Sequence, residues 1–88
     1  MEIITFDVNC AGWSPDGVYN RLYLKTQCHY FQELFMSQGY LYLNHIYESL
    51  GIKWNPDWEN RCYRIENGPL RMKIYDGLGD VYFIEIDQ

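Results

Sequence analysis

The sequence predicts an α+β fold: an N-terminal strand, one long helix, one short helix and a C-terminal three-stranded antiparallel meander. Three observations carry this. The first eight residues alternate apolar and polar. A run from Val18 to Phe35 repeats apolar residues at helical spacing. The last third alternates again, between strong turn signals.

The opening "MEIITFDV" puts Ile4, Phe6 and Val8 on one face and Ile3 and Thr5 on the other, which is the period of a strand. "NCAGWSPDG" collects loop residues. Within it Ser14 is a capping residue, Pro15 suits the first helical position, and Asp16 favours the positive end of the dipole. Val18, Leu22, Tyr23, Phe31, Leu34 and Phe35 then follow at intervals that fit one apolar stripe. Thr26 offers a second cap, so the long helix has a candidate break between Lys25 and Thr26. Gly39 is the expected terminator.

"YLYLNHIYESLGI" reads as an extended lead-in and a short helix over residues 45–50, capped by Asn44 and closed by Gly51. Ile46, Tyr47 and Leu50 are spaced to face inward. "KWNPDWEN" is a loop around Pro56. Residues 61–66 alternate, and Asn67-Gly68 is a hairpin signal into a strand led by Leu70, Met72 and Ile74. "DGLGD", residues 76–80, is a second turn. "VYFIEIDQ" supplies the third strand of the meander, with Tyr82, Ile84 and Ile86 on one side.

Composition bounds the function. Eighty-eight residues make at most one domain. With 48% hydrophobic and 18% aromatic residues, the chain can bury a core without staples. The net charge is −5. Affinity for nucleic acid rests on lysine and arginine neutralising phosphates, so direct binding of nucleic acid is not expected. Arg61, Arg64, Arg71 and Lys73 form one local basic cluster in sequence. An acidic surface instead suits a basic partner. Cys10, Cys28 and Cys62 are an odd set without the short spacings of a disulfide framework or a zinc site. The chain opens without a basic segment leading into an apolar run, and no apolar stretch nears the roughly 18 residues of a membrane span. The expected location is the cytoplasm, with reduced thiols and no membrane contact.

Chemistry-bearing motifs are sparse. Asp76 and Asp80 flank Gly77-Leu78-Gly79, but the spacing is not that of a calcium loop, and aspartate and glycine suit a turn for backbone reasons. Cys28 and His29 are adjacent, so on a helix they point about 100° apart and do not form a nucleophile–base pair. "GWSPDG" lacks the lysine of a phosphate loop. The two histidines, His29 and His45, are too far apart for a helical metal pair. Catalytic residues, metal ligands and cofactors are therefore not expected. The aromatics remain. Trp13, Trp54, Trp58, Tyr40, Tyr42 and Tyr47 are of the types that anchor protein interfaces. The candidate protein-binding residues are Trp54, Asp57, Trp58, Glu59, His45, Trp13, Asp76 and Asp80.

One segment carries a resemblance. "GYLYLNHIYESLGI", residues 39–52, resembles a glycine–aromatic–Leu–aromatic–Leu–Asn–x–Val/Ile–Tyr–x–x–Leu–Gly segment of small uncharacterised proteins of phages and mobile elements of Gram-positive bacteria. The likeness extends more loosely over residues 26–78, through "LRMKIYDG". His45 stands where those proteins often have aspartate, and the N-terminal strand and Trp13 loop have no counterpart. The family brings no established activity and no catalytic residues. It implies a mobile-element accessory protein in a bacterial host, binding a host or phage protein. An acidic inhibitor of a host defence nuclease, itself a nucleic-acid-binding protein, is one version. The alternatives are a self-associating assembly protein, pairing through an exposed sheet edge, and a small-ligand-binding domain.

Overall fold

The structure, a computed structural model, describes residues 1–53 and 56–88, Trp58 by its backbone alone. The elements run β1 (Glu2–Phe6), α1 (Gly17–Gln38), β2 (Tyr40–Tyr42), α2 (Leu43–Ser49), a 3-10 turn at Pro56–Trp58, β3 (Cys62–Arg64), a 3-10 turn at Ile65–Asn67, β4 (Arg71–Asp76) and β5 (Tyr82–Asp87). The α+β class and the order strand, long helix, short helix, C-terminal antiparallel strands are as the sequence predicts.

The strand pairing departs from a meander. β5 lies in the centre of a three-stranded antiparallel sheet, between β4 and the N-terminal β1. β3 leaves that sheet and pairs antiparallel with β2, Leu41 opposite Tyr63. Asn67-Gly68 does not make a hairpin. The chain takes a 3-10 turn there, and Gly68 donates its N–H to the Ile65 carbonyl at 3.1 Å. The reason is competition for edges. β2 presents a free ladder that β3 fills, extended by Ile65 N–H to Gly39 O at 2.9 Å and Leu43 N–H to Arg61 O at 3.0 Å. β1 then completes the sheet on β5, with Ile4 opposite Ile84.

The core lies between α1, α2 and the inner face of the larger sheet. Ile4, Phe6, Ile84 and Ile86 come from the sheet, Leu24, Phe31 and Phe35 from α1, Ile46 from α2 and Leu50 from its C-cap. Val8 is not part of it. It lies past the end of β1 and is exposed.

α1 is one unbroken helix of 22 residues, without the break at Thr26. Its cap is Asp16, whose carboxylate accepts from the Val18 and Tyr19 N–H groups, and not Ser14. This shifts the buried stripe. Asn20, Leu24, Phe31 and Phe35 face inward, while Val18 and Leu22 face solvent. Asn20 is tolerated in the core because its amide bonds both backbone groups of Ser14, accepting from N–H at 2.8 Å and donating to C=O at 2.6 Å. Gly39 ends α1 in the left-handed region, φ 84°, with its N–H on the Phe35 carbonyl. α2 begins at Leu43, directly on the end of β2, so Asn44 is a buried helical residue and no side chain caps the helix. Gly51 closes it at φ 74°, pressed so tightly on Ala11 that a Cβ there would stand 2.7 Å from the Ala11 Cβ.

Candidate functional site

Two surfaces at opposite ends of α1 gather the residues with recognition chemistry. The first is built at the helix start. Strand register aligns Phe6, Tyr82 and Asp76 across the larger sheet, so Asp7, Asp76 and the turn to Asp80 share one end of it. α1 begins against that end. The Tyr82 hydroxyl donates to the Gly17 carbonyl at 3.2 Å. The Trp13 indole N–H donates to the Asp80 carbonyl at 2.9 Å. A Cβ on Gly17 would lie 3.8 Å from the Asp80 carboxylate.

Asp7, Asp16, Asp76 and Asp80 thus lie at one end of the molecule, from three separate parts of the chain. Arg21 answers one of them, in an ion pair with Asp76. Asp16 and Asp80 also sit at the positive end of α1, where carboxylates are favoured. The neighbouring segments also expose apolar side chains: in the first turns of α1 Val18 is 79% exposed and Leu22 64%, and Leu78, at the turn tip, is 96%. Asp80 is held at φ 59°, unusual for a side-chain-bearing residue but tolerated best by aspartate and asparagine.

The second surface follows the C-terminal half of α1. Tyr30, Leu34 and Gln38 stand one turn apart on the same face. Tyr40, Leu41 and Tyr42 of β2 and His45 of α2 close the other side of a groove of about 300 Å³. Tyr40 and Tyr42 stand edge to face, centroids 5.7 Å apart at 74°. The Tyr30 hydroxyl lies 3.4 Å from His45 Nε2, and the His45 ring meets Phe31 edge-on beneath. Tyr30, Tyr40 and Tyr42 are all half-exposed. The strand partner of Tyr40 is Arg64 and that of Tyr42 is Cys62, so both share the outer face of this two-stranded sheet.

The residues singled out from sequence divide among these places. Trp13, Asp76 and Asp80 come together at the acidic end, with Trp13 half-buried against the core. His45 lies apart from them, in the tyrosine groove. Asp57 and Glu59 are exposed in and after the 3-10 turn at Pro56–Trp58. Trp54 and the side chain of Trp58 lie outside the described residues. Tyr47 is buried. Asp7, Asp16, Val18, Leu22, Leu78 and Tyr30 were not among the candidates. Tyr30 had a signal, its i, i+4, i+8 relation to Leu34 and Gln38. The others had none, because only the fold brings them together.

Of the thiols, Cys28 packs on the core, Cys10 lies 4.0 Å from the Asp7 carboxylate and Cys62 stands opposite Tyr42. Burial pushes the Cys28 thiol up to about 11, and Cys10 is raised for the same reason. Such thiols are poor nucleophiles at neutral pH. Among the described residues no group of three or more His, Cys, Asp or Glu is placed to hold a metal ion. No described helix is long and apolar enough to cross a membrane.

No protein-family model matches the chain, and neither a curated protein nor a solved structure matches it.

Proposed function

We propose that this chain acts by binding another protein that presents a basic surface, through the acidic end at the start of α1. The carrying observation is that Asp7, Asp76 and Asp80 share one end of the larger sheet and Asp16 caps the helix start docked on it, with exposed Val18 and Leu22 in the first turns of that helix and Leu78 at the turn tip. Carboxylates steer and orient a basic partner, and apolar side chains among them supply area to bury. A nuclease inhibitor filling a nucleic-acid groove is the concrete form that the net charge of −5 and the family resemblance favour. Such an accessory protein of a phage or mobile element needs no catalysis of its own. Self-association through the edge of β4 is disfavoured by Arg71 and Lys73 there, since edge cations oppose strand pairing.

The test is capture from a bacterial lysate with wild type and an Asp76→Asn/Asp80→Asn variant side by side. The expected result is a basic protein retained by wild type, released by salt, and lost by the variant. If that protein is a nuclease, the wild-type chain should inhibit its cleavage of nucleic acid. Partners held equally by both baits would sink this reading.

A further inference from the structure

We propose that the tyrosine groove between α1 and β2 takes an arginine side chain of a basic partner segment, as a second contact distinct from the acidic end. The inference rests on the proposed binding of a basic partner, but on different residues. Tyr30, Tyr40 and Tyr42 present half-exposed rings to one groove. Phenol faces carry negative quadrupole charge and attract a cation laid against them. The chain's net charge of −5 adds a long-range bias in the same direction.

The lining decides which cation. Leu34, Leu41 and Gln38 complete the walls with His45, and none of the groove's side chains is a carboxylate. A lysine ammonium is strongly hydrated and would enter without an anionic acceptor. A guanidinium is planar, weakly hydrated and stacks on aromatic faces, so it loses less on entering. Arg64 fixes the direction of approach. It stands beside Tyr40 on the same face of the two-stranded sheet, so the incoming cation favours the far end, at Tyr42, Tyr30 and His45.

Titration with hexa-arginine and hexa-lysine peptides of equal charge tests this, read by calorimetry and by the ring-proton NMR shifts of Tyr30 and Tyr42. Hexa-arginine should bind about three- to tenfold more tightly than hexa-lysine. Tyr40→Leu/Tyr42→Leu should erase that preference, while Tyr42→Phe, which keeps the ring, should preserve it. Both tyrosines are half-exposed, and far-UV circular dichroism checks that the double variant is folded. Asp76→Asn/Asp80→Asn should weaken both peptides alike and leave the arginine preference intact, which separates failure at the acidic end from failure here. Arg64→Ala should tighten hexa-arginine modestly. Equal affinity for the two peptides in wild type, or a preference surviving loss of Tyr40 and Tyr42, overturns the proposal. So does an Arg64→Ala variant that loses peptide binding.

Discussion

The two ends of α1 are built in opposite ways. The acidic end draws on residues 7, 16, 21, 76 and 80, which only strand register and helix docking bring together. The tyrosine groove draws on residues 30–45, nearly contiguous, folded back on themselves at Gly39. A surface assembled from distant segments exists only while the whole fold stands. A surface made by one helix–turn–strand unit is more local. Both, however, hang from the same helix, and the largest expected effect comes from loosening it.

Phe35 is fully buried on α1, one turn before Gly39, and Phe31 lies a turn earlier under His45. Phe35→Ala should cost about 3–5 kcal/mol, through lost burial and the cavity left behind. A domain this size has little more than that to lose. Urea titration should show the midpoint collapsing. Under partly denaturing conditions, hydrogen exchange at Asp76 and Asp80 should open along with global unfolding, while the helix–turn–strand unit at Gly39 opens separately.

Cys28 lies on α1 between the two ends, packed on the core. Its thiol is raised from 9.0 to about 11 by burial. The unfolded thiol releases its proton first as pH rises past 9, while the folded one still holds it. Stability is therefore full below pH 9 and falls across pH 9 to 11. Tyr63, raised from 10.0 to about 12, extends the loss upward. Cys28→Ala should flatten the decline between pH 9 and 10, where Tyr63 contributes least. Urea midpoints across that window would show it, and an unchanged slope would place the thiol in a wetter site than the fold gives it.

Legibility from sequence followed the same division. The inward face of β5, Tyr82, Ile84 and Ile86, was readable because a half-buried strand has period two. So were Gly39 as a stop and Ile46, Tyr47 and Leu50 as core. The pairing of β3 was not, because Asn67-Gly68 is a local signal and the free edge of β2 is a tertiary one. The phase of α1 is not legible in its sequence, because Asn20 occupies a core position that its bonds to Ser14 make acceptable. That single polar residue made Val18 and Leu22 look buried. The acidic end was half seen, in Asp76, Asp80 and Trp13, and its other members were invisible for want of register.

Asp16 ties the acidic end to helix stability. Its carboxylate bonds two N–H groups of the first turn. Asp16→Ala should cost about 1 kcal/mol. Asp16→Asn, which retains the acceptor, should recover most of it while removing the charge. Comparing the two by thermal melt and by partner affinity separates the capping role from the recognition role.

The smallest stability effect belongs to the groove, and there a near-zero result is informative. Tyr42 lies on the outer face of β2 with its ring half in solvent, edge-on to Tyr40. Its inward neighbours, Leu41 and Leu43, are the residues that hold the strand and the following helix to the core. Tyr42→Ala should therefore shift stability by no more than about 1 kcal/mol, the order of one exposed aromatic pair on a strand. A loss well above that would mean that the tyrosines brace the β2–β3 sheet, and the groove would then be a by-product of packing. A small loss would leave exposed aromatic rings whose removal the fold hardly registers. That is the expected pattern for side chains whose contacts are completed by something outside the molecule.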